Sequence, residues 1–401
     1  MQFKRIFMKL PLIEYLFQRK LRGKTLLVLV MLLVIMGGLT GLACIRGLQP
    51  IGWSGGAVAD NTLFVGSKQG RLVAVNIADG SRQWSDTIKM PSSAGGFGCA
   101  APMLGGGCEA APTGGAIYGT PVVAGDLVYI GGYNGRIYAF NSSSLETRWV
   151  YPREGYLKPI IGGPIVMLNK IYFSTSDGKV YALDAASGDK EWGFQDGDKI
   201  WSTPAGNGDT VYIGSFDNKL YALNADDGKK KWEFRTQGAV ASTPLVYNNT
   251  VYIGCLDRYL YAVDTSDGSR KWKFMGESWF WAKPLVYNKV IYAPCLDGKV
   301  YILDAETGGE VADAVDLGSP ISSSPVLVDD KVIIASQQGV IYALDTGSNK
   351  GKQLANIEEE IYGPLCASDG VIYIHTQDLT IHPVEADTGA KLATISLKSS
   401  Q

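Results

Sequence analysis

Histidine is almost missing from this 401-residue chain: His375 and His382 are the only two. Sites built from several imidazoles, the usual way to hold zinc, are therefore excluded. Positive charge is also scarce outside the N-terminus. Residues 1–24 carry seven basic groups (Lys4, Arg5, Lys9, Arg19, Lys20, Arg22 and Lys24) against Glu14, which leaves 30 basic and 38 acidic residues beyond them, a net charge of −8. An acidic body repels phosphate backbones, so nucleic acid is not an expected partner. Helix-like periodicity is rare as well. What the chain has instead is 49 glycines, against roughly 7% in average proteins, together with 21 tyrosines and 46% hydrophobic residues. That mixture suits many short strands joined by tight turns around a sizeable core.

Long apolar runs are absent with one exception. Residues 25–45 read TLLVLVMLLVIMGGLTGLACI without a charge, close to the roughly 20 residues that span a bilayer as a helix. A cleaved secretory signal has a shorter apolar core and a shorter basic region, so a transmembrane signal-anchor is expected. The basic 1–24 segment places the N-terminus in the cytoplasm and the rest outside, at the cytoplasmic membrane. Cys44 offers an alternative: Gly41-Leu42-Ala43-Cys44 resembles, imperfectly, the box that precedes a lipidated cysteine in bacterial lipoproteins.

The body is repetitive. Pro121, Pro164, Pro204, Pro244, Pro284, Pro325 and Pro364 stand 43, 40, 40, 40, 41 and 39 residues apart, a propeller-like period. Residues 201–234, WSTPAGNGDTVYIGSFDNKLYALNADDGKKKWEF, show the unit: four short strands with period-two alternation, separated by turns. Asn134-Gly135, Asp177-Gly178 and Asp297-Gly298 supply the left-handed conformations of two-residue hairpins. Eight units fit in 50–398, so the expected fold is all-β: an eight-bladed propeller of four-stranded antiparallel blades, preceded by one N-terminal transmembrane helix. Blade eight has a complete fourth strand of its own. Ring closure is then expected from packing between blades one and eight rather than from strand exchange.

The unit VY-I-G-S-x-D-G-x-LYALDA-x-TG-x-x-x-W resembles the pyrroloquinoline-quinone-type repeat, and the resemblance covers nearly everything after residue 50. It implies that a last-strand tryptophan docks on the neighbouring blade, a role that falls to Trp84, Trp149, Trp192, Trp232 and Trp272. Ala312, Leu354 and Ala393 stand near that place in blades six to eight. The family contains quinoprotein dehydrogenases, with the quinone and calcium in the funnel, and non-catalytic BamB-like members. This chain has no vicinal Cys-Cys pair and only single aspartates per blade, whereas calcium asks for six to eight converging oxygens. Its length and plan are similar to the BamB-like branch. The implied function is a non-catalytic, membrane-anchored scaffold that binds envelope or membrane proteins or a ligand, without metal or cofactor. The alternative is a small dehydrogenase using pyrroloquinoline quinone and calcium.

Candidate binding residues follow from the proline register. Three places before it stand Trp53, Tyr118, Ile161, Trp201, Ala241, Trp281, Ser322 and Ile361, with Tyr362 beside the last. This ring of aromatics suits the grip of a peptide, a glycan or a planar ring at the funnel mouth, or simply fills the channel. Trp279 belongs to it through the run Trp279-Phe280-Trp281, which cannot point wholly into one core. In the second turn, Gln69, Asn134, Asp177, Asp217, Asp257, Asp297, Gln338 and Gln377 form an acidic arc that turn chemistry explains. His375 breaks a column of small residues and is a candidate ligand-binding group. Cys255 and Cys295 are expected as buried thiols. Cys99 and Cys108 lie in the Gly/Ala-rich insertion 91–116 and are a candidate disulfide; the insertion itself is read as a flap or docking loop.

Overall fold

The computed structural model describes residues 54–90, 115–195 and 197–398. These residues form 32 strands in eight antiparallel four-stranded sheets, each built from four strands consecutive in sequence. The all-β, eight-bladed propeller expected from the repeats is therefore present. Among the described residues no helix is long and apolar enough to cross a membrane. The apolar run 25–45, Cys44, Trp53, and Cys99 with Cys108 lie outside the described residues, as does most of the insertion.

Blade four illustrates how sequence becomes sheet. Its strands are Ala205–Asn207, Thr210–Ser215, Lys219–Asn224 and Lys230–Arg235. Gly208, Asn218 and Gly228 sit at the three turns with φ of +58°, +69° and +71°, conformations that glycine and asparagine adopt at least cost. Successive side chains of the second strand point to opposite faces. Val211 and Ile213 join a cluster with Tyr172, Val180 and Ala182 of blade three, whereas Tyr212 joins Val251, Ile253 and Tyr261 of blade five. Both faces are covered, so the middle strands are apolar along their length except at their ends. The pattern recurs around the ring, giving one apolar cluster at each of the eight seams.

The last seam closes the ring. Leu63, Val65, Val73 and Val75 of blade one pack on Tyr373, Ile381 and Leu397 around blade eight. Lys68 Nζ donates to the Gln377 carbonyl at 2.9 Å, and the Arg82 guanidinium donates to the carbonyl of Ser396. No strand is shared, as expected.

Four seams carry an additional latch. The indole N–H of Trp149, Trp192, Trp232 and Trp272 donates to the carbonyl of Ala185, Ala225, Thr265 and Ala305 in the next blade, at 2.9–3.0 Å. At three of them a tyrosine hydroxyl (Tyr129, Tyr172 or Tyr252) donates to the same oxygen at 2.9–3.1 Å. A tyrosine ring lies 5.7–5.8 Å from each of the four indoles. Each indole covers a left-handed glycine of the next blade: a Cβ on Gly188, Gly228, Gly268 or Gly308 would lie 2.5–2.7 Å from the ring. Glycine is required there for both conformation and space.

Trp84 also docks on a neighbouring blade, but on blade eight rather than on the next blade in sequence. The other four tryptophans stand opposite an alanine, as Trp232 does opposite Ala222, because a bulge places an extra residue between that pair and Leu223–Lys230. Blade one has no such bulge, so Gln83 faces Ala74 and Trp84 faces Val73. A shift of one residue sends a side chain to the other face. Trp84 accordingly packs with the cluster shared by blades one and eight, half-buried, under Arg82 and with Nε1 buried and unbonded. On the side it vacated, Leu145 of blade two holds the left-handed turn position, with φ +55°, and fills the seam.

Candidate functional site

The inner strands converge on a cavity of about 110 Å³ at the axis. Its wall is made from the residues just ahead of the proline register. Period-two alternation sorts them. The serines two places before proline turn into the sheet, where Ser202, Ser242 and Ser323 donate to the carbonyls of Gly214, Gly254 and Ala335 at 2.6–2.9 Å. These bonds pin each inner strand to its neighbour. The residues on either side of them face the axis.

Of the expected ring, Tyr118, Ile161, Trp201, Ala241, Trp281, Ser322 and Tyr362 line the cavity. Trp201 and Trp281 meet across the small Ala241, with centroids 6.5 Å apart and planes at 65°, and Trp201 also rests 4.6 Å from Phe216. Tyr118 packs 5.3 Å from Tyr133, and burial pushes its phenol ionisation up. Blade eight shows a shift: Ile361 is buried in the seam and Tyr362 takes its place on the wall. The shortened proline spacing of 39 is the trace of that shift in the sequence, since Pro364 occupies the place that Ser324 holds in blade seven.

Trp279 does not join the wall. It is 48% exposed, Phe280 beside it is buried against Tyr301, and only Trp281 reaches the cavity. His375 is likewise drawn away. Its Nδ1 lies 3.0 Å from the Ser54 carbonyl across the closing seam, its Nε2 is buried and unbonded, and burial lowers its pKa. A buried neutral ring that donates to a carbonyl acts as a seam contact, and the ligand-binding role expected of it does not fit this placement.

The second-turn aspartates are consumed locally. Tyr221, Tyr261 and Tyr301 donate to the carboxylates of Asp217, Asp257 and Asp297 at 2.5–2.7 Å, and the amides of Tyr259 and Lys299 donate to the last two. Cys255 and Cys295 are free and buried, with their thiol pKa pushed up to about 12 by burial. Among the described residues no group of three or more histidines, cysteines and carboxylates is placed to hold a metal. Among the described residues the cavity wall contains no carboxylate, so the donor set they supply does not fit a calcium ion.

A second ring was missed from the sequence. Thr120, Thr203, Thr243, Lys283 and Ser324 stand one place before the proline register, or at its equivalent, and line the same cavity. They are two residues beyond the aromatic column, hence on the same strand face, and that spacing was the available signal. Two of the hydroxyls also tie neighbouring blades: Thr203 Oγ1 accepts from the Gly163 amide at 2.9 Å, and Ser324 Oγ from the Lys283 amide at 3.1 Å.

Comparisons with known proteins agree with this architecture. A family model described as "Outer membrane protein assembly factor BamB" matches residues 48–194 and 176–394. No curated protein matches the sequence significantly. Among solved structures, the computationally designed protein Ika8 superposes with a TM-score of 0.66 at 14% identity, covering 86% of this chain and 96% of its own. BamB from Moraxella catarrhalis gives 0.61 at 17% identity, covering 81% and 91%. Sqt1 from Saccharomyces cerevisiae gives 0.60 at 15% identity, covering 68% and 82%. At these identities the structural likenesses speak for the fold alone, while the family model spans nearly the whole propeller: the chain belongs to the BamB-like family of pyrroloquinoline-quinone-type repeat propellers.

Proposed function

We propose that this protein is a membrane-anchored, extracytoplasmic and non-catalytic propeller that binds another envelope protein at the axial face. The observation that carries the reading is the pairing of Trp201 and Trp281 at the cavity wall. These two indoles are half-buried and line the cavity, and large aromatics placed in a concave site are typical binding anchors. Membership in a family described by an assembly factor supports a protein partner in the envelope. The charge-free run 25–45 supports an uncleaved anchor.

Crosslinking in native membranes, followed by capture and mass spectrometry, tests the reading. A specific envelope partner lost in a W201A/W281A double variant is expected, and capture unaffected by that variant contradicts the axial face as the binding surface. Protease added to spheroplasts should remove the propeller and leave a small membrane fragment, whereas a diacylated Cys44 at the mature N-terminus overturns the helical anchor. Addition of pyrroloquinoline quinone and calcium should produce neither stoichiometric binding nor dye-linked turnover; observing both overturns the non-catalytic reading.

A further inference from the structure

Among the described residues, Lys283 is the one member of the axial wall that carries a charge. The residue is exposed at the cavity, and the neighbouring wall only partly strips water from its side chain. Among the described residues its Nζ forms no ion pair or hydrogen bond, while its backbone amide donates to Ser324 Oγ at 3.1 Å. Desolvation is the sole cause acting on its ionisation, and it lowers the pKa because nothing opposite in charge stands nearby. Several other lysines are treated differently: Lys170, Lys179, Lys219, Lys231, Lys271 and Lys299 each pair with a carboxylate within 3.2 Å. A hydrated cation at the wall of a concave site, with no carboxylate beside it, is free to pair with a ligand that supplies the missing charge.

The surroundings specify that ligand. Thr203, Thr243, Ser322 and Ser324 ring the axis with hydroxyls that are able to donate, and Trp201 and Trp281 form the apolar part of the wall. A single cation balances a single negative charge. A dianionic phosphate would retain an uncompensated charge inside a body whose net charge beyond residue 24 is −8, so a monoanion is preferred. A planar carboxylate offers two acceptor oxygens, one for the ammonium and one for a hydroxyl, and suits a cavity of about 110 Å³.

We propose that the axial cavity is a carboxylate-binding site, with Lys283 as the counter-charge, the threonine and serine ring as hydrogen-bond donors, and Trp201 and Trp281 packing on an apolar group next to the carboxylate. The inference rests on the axial face being the binding surface and names the chemistry that this face recognises. The same chemistry is available from an acidic side chain on a partner loop and from a chain's C-terminal carboxylate.

Calorimetric titration of the full-length, detergent-purified protein with N-acetylphenylalanine, and with its neutral amide, tests the proposal. Saturable binding of the acid is expected, with the amide and a K283Q variant weaker by about tenfold or more, since hydrogen bonds to charged groups exceed neutral ones by that order. Added salt should weaken the acid and leave the amide unchanged. K283Q is expected to melt no lower than wild type, which separates lost binding from lost folding. Two short peptides identify the source: one with an internal glutamate and an amidated C-terminus, the other without acidic side chains and with a free C-terminus. Equal binding of acid and amide, or a K283Q variant that binds the acid as wild type does, overturns the proposal. If partner capture from membranes survives K283Q but not W201A/W281A, the carboxylate site fails while the axial face stands. If capture survives both, the axial reading fails as well.

Discussion

Tryptophan serves two regions of this molecule in different ways. At the outer strands, Trp149, Trp192, Trp232 and Trp272 lie flat on a left-handed glycine of the next blade, with their N–H spent on a carbonyl there. At the inner strands, Trp201 and Trp281 face a cavity, where their rings meet and Trp201 also rests against Phe216. The first set joins a seam; the second coats a void. One residue type thus contributes mostly to cohesion or mostly to recognition according to what its ring is laid against.

The largest effect expected from this contrast is at the seams. Trp232→Ala removes a buried ring and its hydrogen bond together, and should lower stability by about 3–5 kcal/mol in denaturant titration. Gly228→Ala should cost about 2–4 kcal/mol, because the new Cβ combines a left-handed backbone with overlap against the Trp192 ring. An unchanged midpoint in either variant would break the account of the latches.

Smaller effects belong to the closing seam, where no indole latch is present among the described residues. His375 is neutral when folded, with its pKa pushed below the ordinary value of 6.5 by burial against blade one, and the nearby Lys68 lowers it further while Asp378 raises it. His382 is lowered too. A depressed folded pKa means that the unfolded chain binds protons first. The stabilisation from a neutral ring is therefore complete above about pH 6.5 and is lost progressively as the pH falls toward the depressed value. H375Q should flatten this slope in part and leave the contribution of His382; identical slopes would contradict the assignment. Trp84→Ala should cost only about 1 kcal/mol, since the ring is half-buried and unbonded. A loss as large as that of Trp232→Ala would mean that Trp84 holds its seam as firmly as the latched indoles hold theirs.

Much of the ring was legible in the sequence because the repeat prints it: proline spacing gave the number of blades, and Asn-Gly and Asp-Gly dipeptides gave the turns. The role of Trp84 was not legible. It stands four residues after Gly80, the same distance that separates Trp232 from Gly228, and only the missing bulge, a matter of strand pairing, turns it to the other face. His375 was misread for a related reason, since its environment is made by Ser54, 321 residues away. The aromatic column was visible, but Lys283 was hidden by a neighbouring row of threonine and serine that reads as ordinary strand.

The separation of the two tryptophan regions is tested most directly by measuring the unfolding midpoint and the yield of crosslinked partner per folded molecule, side by side, in W232A and in W201A/W281A. The expected result is a crossed pattern. W232A should lose stability by about 3–5 kcal/mol and retain partner yield, whereas W201A/W281A should retain most of its stability and lose the partner. Parallel losses of stability and yield in both variants would show that the axial indoles are structural, and would contradict the division between cohesion and recognition.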